Sequence, residues 1–351
     1  MLIFRTTPYY LEWAELNDQD QIIQSGQVLP EHPFPANLED AIETAEQAAY
    51  LLENGGPELS ETATELTPGM LSLLQNLQKY APYENTLLMN TVFQMVTMRP
   101  DLQHTLLCNT AFFQTMPLTA RTYALPKALR YPEIQRHGSD GIFHQFASQQ
   151  IRTAYPQKSE KIITIYLDKF SVTLAAIQRG LAVECSSGFS KLEGIPGLSS
   201  VGSTDPSLPL LLCKDGLSVD QALHVLTTQS GFQAINPSLE SLYTLYHNDL
   251  PEVHRACRER LQYHLRKQIG SGVAVLNGVQ QLLFITPALE KTSQFLMEMT
   301  ASLSSLGASC RENPQLQTNG LLSLTTPESK IEVHALEISS WAVLAALARS
   351  L

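Results

Sequence analysis

Few side chains of this sequence stand at spacings that chemistry recognises. Ser199-Ser200 offers two hydroxyls, but no GxSxG elbow surrounds them to present a nucleophile, and they lie in a Gly-, Ser- and Pro-rich tract from Gly188 to Pro209 that reads as loop. His254 and His264 suggest a metal pair. Ten residues on one predicted helix set them roughly three turns apart, too far for shared ligation, so a solvated or packed pair is the simpler reading. Between Pro251 and Gln268 the chain is locally basic, with Arg255, Arg258, Arg260, Arg266 and Lys267; such a run is a solvated helix face or an anion or partner site. Cys108, Cys185, Cys213, Cys257 and Cys310 are widely spaced without a CxxC pair, which predicts reduced, mostly buried thiols rather than a disulfide frame or a zinc site. Met95, Met98 and Met116 read as core fillers.

The elements that would position these groups alternate between strand and helix. Leu2 to Val28 reads as short strands interrupted by Pro8, and Leu38 to Glu53 as one helix stopped by Asn54-Gly55-Gly56. Thr67-Pro68 opens a second helix and Leu87 to Met98 forms a third, followed by a short strand at Leu106–Cys108. Lys161 to Ala176 predicts two strands around a turn at Asp168-Lys169, with another turn at Gln178-Arg179-Gly180. Ser218 to Gln229, Leu250 to Ile269 and Gln294 to Leu306 predict helices. Val273–Leu276 and Gln281–Ile285 predict strands around Asn277-Gly278, and the chain closes with a strand (Ile331–Leu336) and a helix (Ser340–Ser350). The order predicts an α/β protein, and 351 residues suit two domains or one large unit.

Apolar residues make up 44 % of the chain, which excludes a disordered or collagen-like polymer. Basic residues number 23 against 34 acidic ones, a net charge of −11 that argues against a general nucleic-acid or anionic-membrane binder. No apolar run approaches the roughly 18–20 residues of a membrane span, and Met1–Arg5 opens no secretory leader. The expectation is a soluble cytoplasmic protein.

Several local blocks, in order, resemble acetate kinase of the acetokinase family within the actin-like phosphotransferase superfamily. Asn109-Thr110-Ala111-Phe112-Phe113-Gln114-Thr115-Met116-Pro117 is similar to DTAFHQTMP, and Tyr123-Ala124-Leu125-Pro126 to YALP. Ile134 to His144 is similar to IRRYGFHGTSH, and Gly188-Phe189-Ser190-Lys191-Leu192-Glu193-Gly194 to GFTPLEG. Ala81 to Asn85 resembles APLHN, and Asn277-Gly278-Val279 with Phe284 resembles NGVDALVF. The blocks run from Ala81 to the C-terminus; the first eighty residues match only loosely.

The resemblance implies two actin-like, ribonuclease H-like α/β domains around a central cleft. The expected partition is residues 1–112 plus 340–351, and residues 113–339 carrying a homodimer surface. It also implies reversible transfer of the ATP γ-phosphoryl group to acetate, which depends on positioning, a divalent metal and well-placed cations.

At the positions matching the family's site the residues differ. The catalytic aspartate is matched by Asn109, the phosphoryl-binding histidine by Asp140, and the arginine of the MGTRSGDIDP loop by Ser199; the second histidine of that middle block is retained as His144. The first catalytic arginine aligns with Leu51. The lysine of the N-terminal NAGSSSLK turn is matched by Glu12, the HLGNG phosphate turn by Tyr166 to Phe170 with Asp168 inside it, and the GIGEN turn by Pro287 to Lys291, keeping only Glu290 as an acid. Ser340 aligns with the metal-associated glutamate, and Ser139, Lys191 and Tyr83 with the apolar acetate pocket.

Framework positions such as Phe112, Met116, Pro117, Gly194 and Pro206 match while the groups that would touch substrate do not. The expectation is therefore a pseudoenzyme: a cleft stripped of cations, with no metal site and no nucleotide cofactor, in a protein acting through protein contacts or another ligand. Its partners would be a second copy or a genuine acetate kinase. The alternative is an active carboxylate kinase using Mg-ATP, with Asp140, Asp168, His144 and Glu290 as rebuilt polar equipment that could gather a metal.

Overall fold

The computed structural model describes residues 1–351. Two mixed sheets dominate it. The first contains β1 (Leu2–Thr6), β2 (Leu11–Leu16), β3 (Ile22–Val28), β4 (Gln47–Leu52), β5 (Ala63–Glu65) and β6 (Gln103–Cys108) in the order β3-β2-β1-β4-β6-β5. The second contains β7 (Lys161–Leu167), β8 (Val172–Gln178), β9 (Leu181–Cys185), β10 (Gln281–Thr286), β11 (Cys310–Leu316), β12 (Leu322–Thr325) and β13 (Glu332–Glu337) in the order β11-β12-β13-β10-β7-β8-β9. Each begins with an antiparallel three-stranded meander, and its first strand then accepts a parallel neighbour: β4 beside β1, β10 beside β7. A further parallel strand follows in each, β6 and β13. One topology is built twice.

Helices fill the layers around the sheets. The first sheet is accompanied by α1 (Ala36–Thr44), α2 (Pro68–Leu77) and α3 (Pro82–Met98); a short α4 (Leu118–Arg121) leads to α5 (Gly141–Ala154). The second is accompanied by α6 (Ser207–Lys214), α7 (Val219–Thr228), α8 (Gly231–Ile235), α9 (Tyr243–Tyr246), α10 (Arg255–Leu276) and α11 (Leu289–Ala301), and α12 (Ser340–Ala348) closes the chain. Period-two alternation along the strands divides the core. Leu2 and Phe4 face one apolar cluster with α3, whereas Ile3 faces another. That second cluster joins Ala49 and Leu107 of the first sheet to Ile162, Leu283 and Ile285 of the second through α5 and α12. A third lies beyond the second sheet, where α10 and α11 cover Ile163, Ile165 and Phe284. The shared middle layer buries apolar side chains from both sheets, so hydrophobic contact ties them together.

The strands and helices depart from expectation at two informative places. The helix expected over Leu38–Glu53 ends at Thr44, and its second half is the buried strand β4. A strand buried on both faces reads as a continuous apolar run, which periodicity does not separate from helix. The strand expected at Val273–Leu276 is the last turn of α10, which Asn277 ends in the left-handed region (φ 50°). Asn-Gly serves hairpin turns and helix C-caps alike; here β10 runs parallel to both its neighbours, so no hairpin forms. Met98 is exposed rather than a core filler, whereas Met95 and Met116 are buried. In the basic run, Arg258 is buried against Glu298 at 2.8 Å, while Arg255 and Arg260 face solvent. The cysteines are all free. No helix is long and apolar enough to cross a membrane.

Phe284 is fully buried in β10, at the middle of the second sheet. Phe284→Ala is expected to destabilise the protein by about 3–5 kcal/mol, through lost transfer energy and a residual cavity. Urea denaturation followed by circular dichroism would read this as a lowered midpoint, and an unchanged midpoint would contradict the assigned core.

Candidate functional site

The parallel strands of both sheets end at one cleft, in the position where open α/β sheets bind ligands. Glu53 directly follows β4, Asn109 follows β6 and Asp168 follows β7. The cleft measures about 1220 Å³ with its mouth included, and its lining carries two cations, Arg5 and Lys191, against five carboxylates: Glu12, Glu53, Glu84, Asp140 and Asp168.

The cations are the feature that sequence reasoning missed. Arg5 and Glu12 stand directly opposite one another in the β1–β2 ladder, so their side chains share a face, and Arg5 Nε meets Glu12 Oε2 at 2.6 Å. Lys169, in the β7–β8 turn of the other sheet, reaches the second oxygen of Glu12 and also donates to the Tyr10 hydroxyl at 3.3 Å. The Arg5 guanidinium lies 4.8 Å above the Trp341 ring of α12. Burial pushes the Glu12 carboxyl up, but Arg5 and Lys169 more than reverse this and hold it below the ordinary carboxylate range. The expected stripping of cations is thus corrected: cations are present, and each is already paired.

Lys191 makes the second pair, meeting Glu53 Oε2 at 2.7 Å. Its loop is held by Tyr123, whose hydroxyl donates to Glu193 at 2.7 Å and accepts from the Phe189 N–H at 2.8 Å. Arg136 bonds Glu184 at 2.6 Å behind the same loop. Around the Lys191 ammonium stand Glu53, Asp140 and Glu84. Burial opposes the lysine's charge, yet these three carboxylates keep it protonated above the ordinary lysine range. Burial and the neighbouring Asp140 and Glu84 also outweigh the lysine and raise Glu53, so this corner of the cleft favours retaining protons.

Asn109 is fully buried and donates from Nδ2 to Glu53 Oε2 at 3.2 Å and to Asp140 Oδ1 at 3.3 Å. An amide can bridge two acids in this way; a carboxylate there would be a third like charge. Asp140 precedes α5 in the left-handed region (φ 59°) and accepts at Oδ2 from the Thr173 hydroxyl at 3.0 Å. Gly138 is required just before it: its φ is +79°, and a Cβ there would sit 2.2 Å from the Phe113 ring.

His144 sits behind Asp140 and does not line the cleft. Its ring nitrogens contact the hydroxyls of Thr164 at 2.8 Å and Thr173 at 3.1 Å, and complete burial lowers it to about 4, so it is neutral at physiological pH. Ser199 lines the cleft but donates its hydroxyl to the Thr227 carbonyl at 3.0 Å. Leu51 lies within β4, packed in the layer between the sheets, and also lines the cleft. Glu290 is exposed on the first turn of α11 and does not line the cleft, so the set of Asp140, Asp168, His144 and Glu290 is not brought together. No group of three His, Cys, Asp or Glu side chains converges as a metal site would require.

The turns that could cradle phosphate are closed on themselves. Thr7 Oγ1 accepts from the Tyr9 N–H at 3.2 Å and the Tyr10 N–H at 3.0 Å, engaging the backbone donors of the β1–β2 turn. In the β7–β8 turn the Phe170 N–H faces Asp168 Oδ2 at 3.4 Å and the Asp168 N–H donates to the Ser171 carbonyl. The Mg-ATP that the fold family implies does not fit this residue set. Asn109 presents its N–H to acids while its Oδ1 is buried without a donor, Ser340 Oγ is bonded to the Tyr166 hydroxyl at 2.8 Å, and a guanidinium, Arg5, stands nearby over Trp341.

A model of the acetokinase family matches residues 51–345. An acetate kinase of Halothermothrix orenii is 24% identical over 320 residues, covering 87% of this chain and 77% of that protein. One of Heliobacterium modesticaldum is 28% identical over 270 residues, covering 75% of this chain and 67% of that protein. Among solved structures, a propionate kinase from Francisella tularensis matches with a TM-score of 0.85 at 18% identity, covering 100% of this chain and 99% of that one. A Porphyromonas gingivalis acetate kinase matches at 0.79 and 18% identity, covering 99% and 98%. The shared fold is the two-domain actin-like one.

Three histidines are buried in neutral form: His137, His144 and His334, each lowered from an ordinary value of 6.5 to about 4, with burial the largest cause. The unfolded chain binds more protons than the folded one between those values, so stability is expected to fall as pH drops from about 6.5 towards 4. Each histidine accounts for up to about 3 kcal/mol of that loss. Urea midpoints measured from pH 7.5 to 4.5 would follow it. His144→Gln, and independently His334→Phe, should each flatten the curve; curves parallel to the parent's would exclude these histidines as its cause.

Proposed function

Because the chain belongs to the acetokinase family, we propose that it is a member without ATP:acetate phosphotransfer, acting through protein contacts or through a ligand other than ATP. The observation that carries this reading is the pairing of the cleft's two cations within the protein, Arg5 on Glu12 and Lys191 on Glu53, with Lys169 joining Arg5 on Glu12 from the β7–β8 turn. Phosphoryl transfer is accelerated by cations aimed at the charge gathering on the transferred group. A guanidinium or ammonium already held by a buried carboxylate is neutralised, and releasing it would leave that carboxylate unpaired in a desolvated site. The remaining carboxylates, Glu84, Asp140 and Asp168, repel a triphosphate. Asn109 donates to Glu53 and Asp140, Asp140 accepts from Thr173, and Ser199 donates to the Thr227 carbonyl, so none of the three offers a cation to a phosphoryl group.

Residues 1–112 with 340–351 form the N-terminal domain in this reading, and 113–339 the C-terminal domain that carries a dimer surface. The packing of α12 against β1, β2, β4 and β6 supports assigning the C-terminal helix to the first domain. The partner is a second copy of this chain or a genuine acetate kinase, since the same fold offers either a similar surface.

Calorimetric titration with Mg-ATP, beside an authentic acetate kinase as positive control, tests the reading. No saturable heat and no acetyl phosphate above a no-protein blank are expected from this chain. Turnover that persists through repurification, or a saturable Mg-ATP isotherm, would overturn it.

A further inference from the structure

A second cavity, sharing no lining residue with the cleft, lies along the segment that joins α4 to α5. An isolated bridge between Thr122 and Gln135 folds this segment back on itself, and beside it the Arg136 N–H donates to the Arg121 carbonyl at 2.7 Å. Arg121 and Gln135 are thereby held as neighbours. With its mouth included the cavity measures about 890 Å³. Its lining carries two guanidiniums, Arg121 and Arg130, and no carboxylate, the inverse of the cleft's balance in a chain of net charge −11.

Neither cation is paired with an acid. Arg121 Nη1 donates to the Gln114 carbonyl at 2.9 Å and to Gln114 Oε1 at 3.2 Å, which fixes the guanidinium, while its Nε is buried without a partner. Arg130 is exposed, and its Nε donates to the Leu125 carbonyl at 2.6 Å, leaving its terminal nitrogens unbonded by the protein. The acids adjoining the lining are engaged elsewhere: Glu58 by the Tyr80 hydroxyl at 3.2 Å, Glu133 by Lys79 at 3.7 Å, and Glu193 by the Tyr123 hydroxyl at 2.7 Å and Arg136 at 3.5 Å.

Gln135 points independently to a ligand. It is 8% exposed, lines the cavity, and its side-chain amide bonds to no protein group. A nearly buried amide and a buried guanidinium Nε, both without an acceptor, cost about 1–3 kcal/mol apiece unless an outside group satisfies them. The acceptor that suits a guanidinium and an amide N–H together is an oxyanion. Leu118, Leu125, Tyr131 and Ile134 make the remaining wall apolar, which suits a carbon skeleton better than a bare ion.

We propose that this cavity binds a small organic carboxylate with an apolar body, its oxygens on Arg121 and Gln135 and its charge further balanced by Arg130. The site is separate from the cleft, so it goes beyond the reading above and stands whether or not the cleft takes ATP.

Calorimetry with phenylacetate at constant ionic strength tests it, with phenylacetamide as the uncharged isostere and inorganic phosphate as an oxyanion lacking an apolar body. Saturable binding is expected for phenylacetate alone. Gln135→Leu and Arg130→Gln should each weaken it about tenfold or more. Arg260→Gln, which removes the same charge from the exposed face of α10, should leave it unchanged. No saturable heat, an equal response to the amide or to phosphate, full binding in both cavity variants, or equal weakening by Arg260→Gln would overturn the assignment.

Discussion

A carboxylate held at the end of a buried strand must find a cation, a donor or a proton, and this requirement organises the cleft. Glu12 and Glu53 are both less than a tenth exposed. Left alone, each would carry a desolvation cost of several kcal/mol. Glu12 is answered by Arg5 from its own hairpin and by Lys169 from the other sheet, and Glu53 by Lys191 from the Gly188–Gly194 loop. Two of these three contacts cross between the halves of the molecule. These ion pairs hold the two halves in register.

The duplicated topology makes those contacts possible. Because β1, β4 and β6 run parallel in one sheet and β7, β10 and β13 in the other, residues just beyond the strand ends gather at one rim. The shared apolar layer of α5 and α12 sets the spacing between the rims. Packing there is dense and dry, so it fixes the distance over which Lys169 reaches Glu12. The site's polar geometry thus follows from hydrophobic burial a layer below it.

Asn109 and Asp140 illustrate how one substitution constrains another. With Asp140 in the cleft, a second acid at position 109 would face both Asp140 and Glu53 without a donor between them. The amide supplies that donor twice, at 3.2 and 3.3 Å, and leaves its own oxygen unbonded. A short polar residue that both donates and stays neutral fits this position, and an acidic catalytic group does not.

Order, class and family were legible in the residues themselves. Blocks such as Asn109–Pro117 and Gly188–Gly194 are local strings, and strand or turn character follows from nearby side chains, so the α/β arrangement and most turns could be read directly. Where local pattern is degenerate it misled: the apolar run Ala48–Leu52 suits helix or strand, and Asn277-Gly278 suits a hairpin or a helix cap, until neighbours in space choose. Site positions opposed to the family's chemistry were visible as single residues, but their partners were not. Lys191 stands in the sequence only as the match to a pocket proline, and nothing local marks Arg5 as the partner of Glu12. Only the tertiary structure set Lys169 against Glu12, 157 residues apart, and Lys191 against Glu53. It also withdrew Glu290 to the surface and set Glu84 beside Lys191 in the cleft. Sequence determines which charges exist and which segments fold; ion pairing depends on distances of a few ångströms between remote segments, and those exist only once the two sheets have packed.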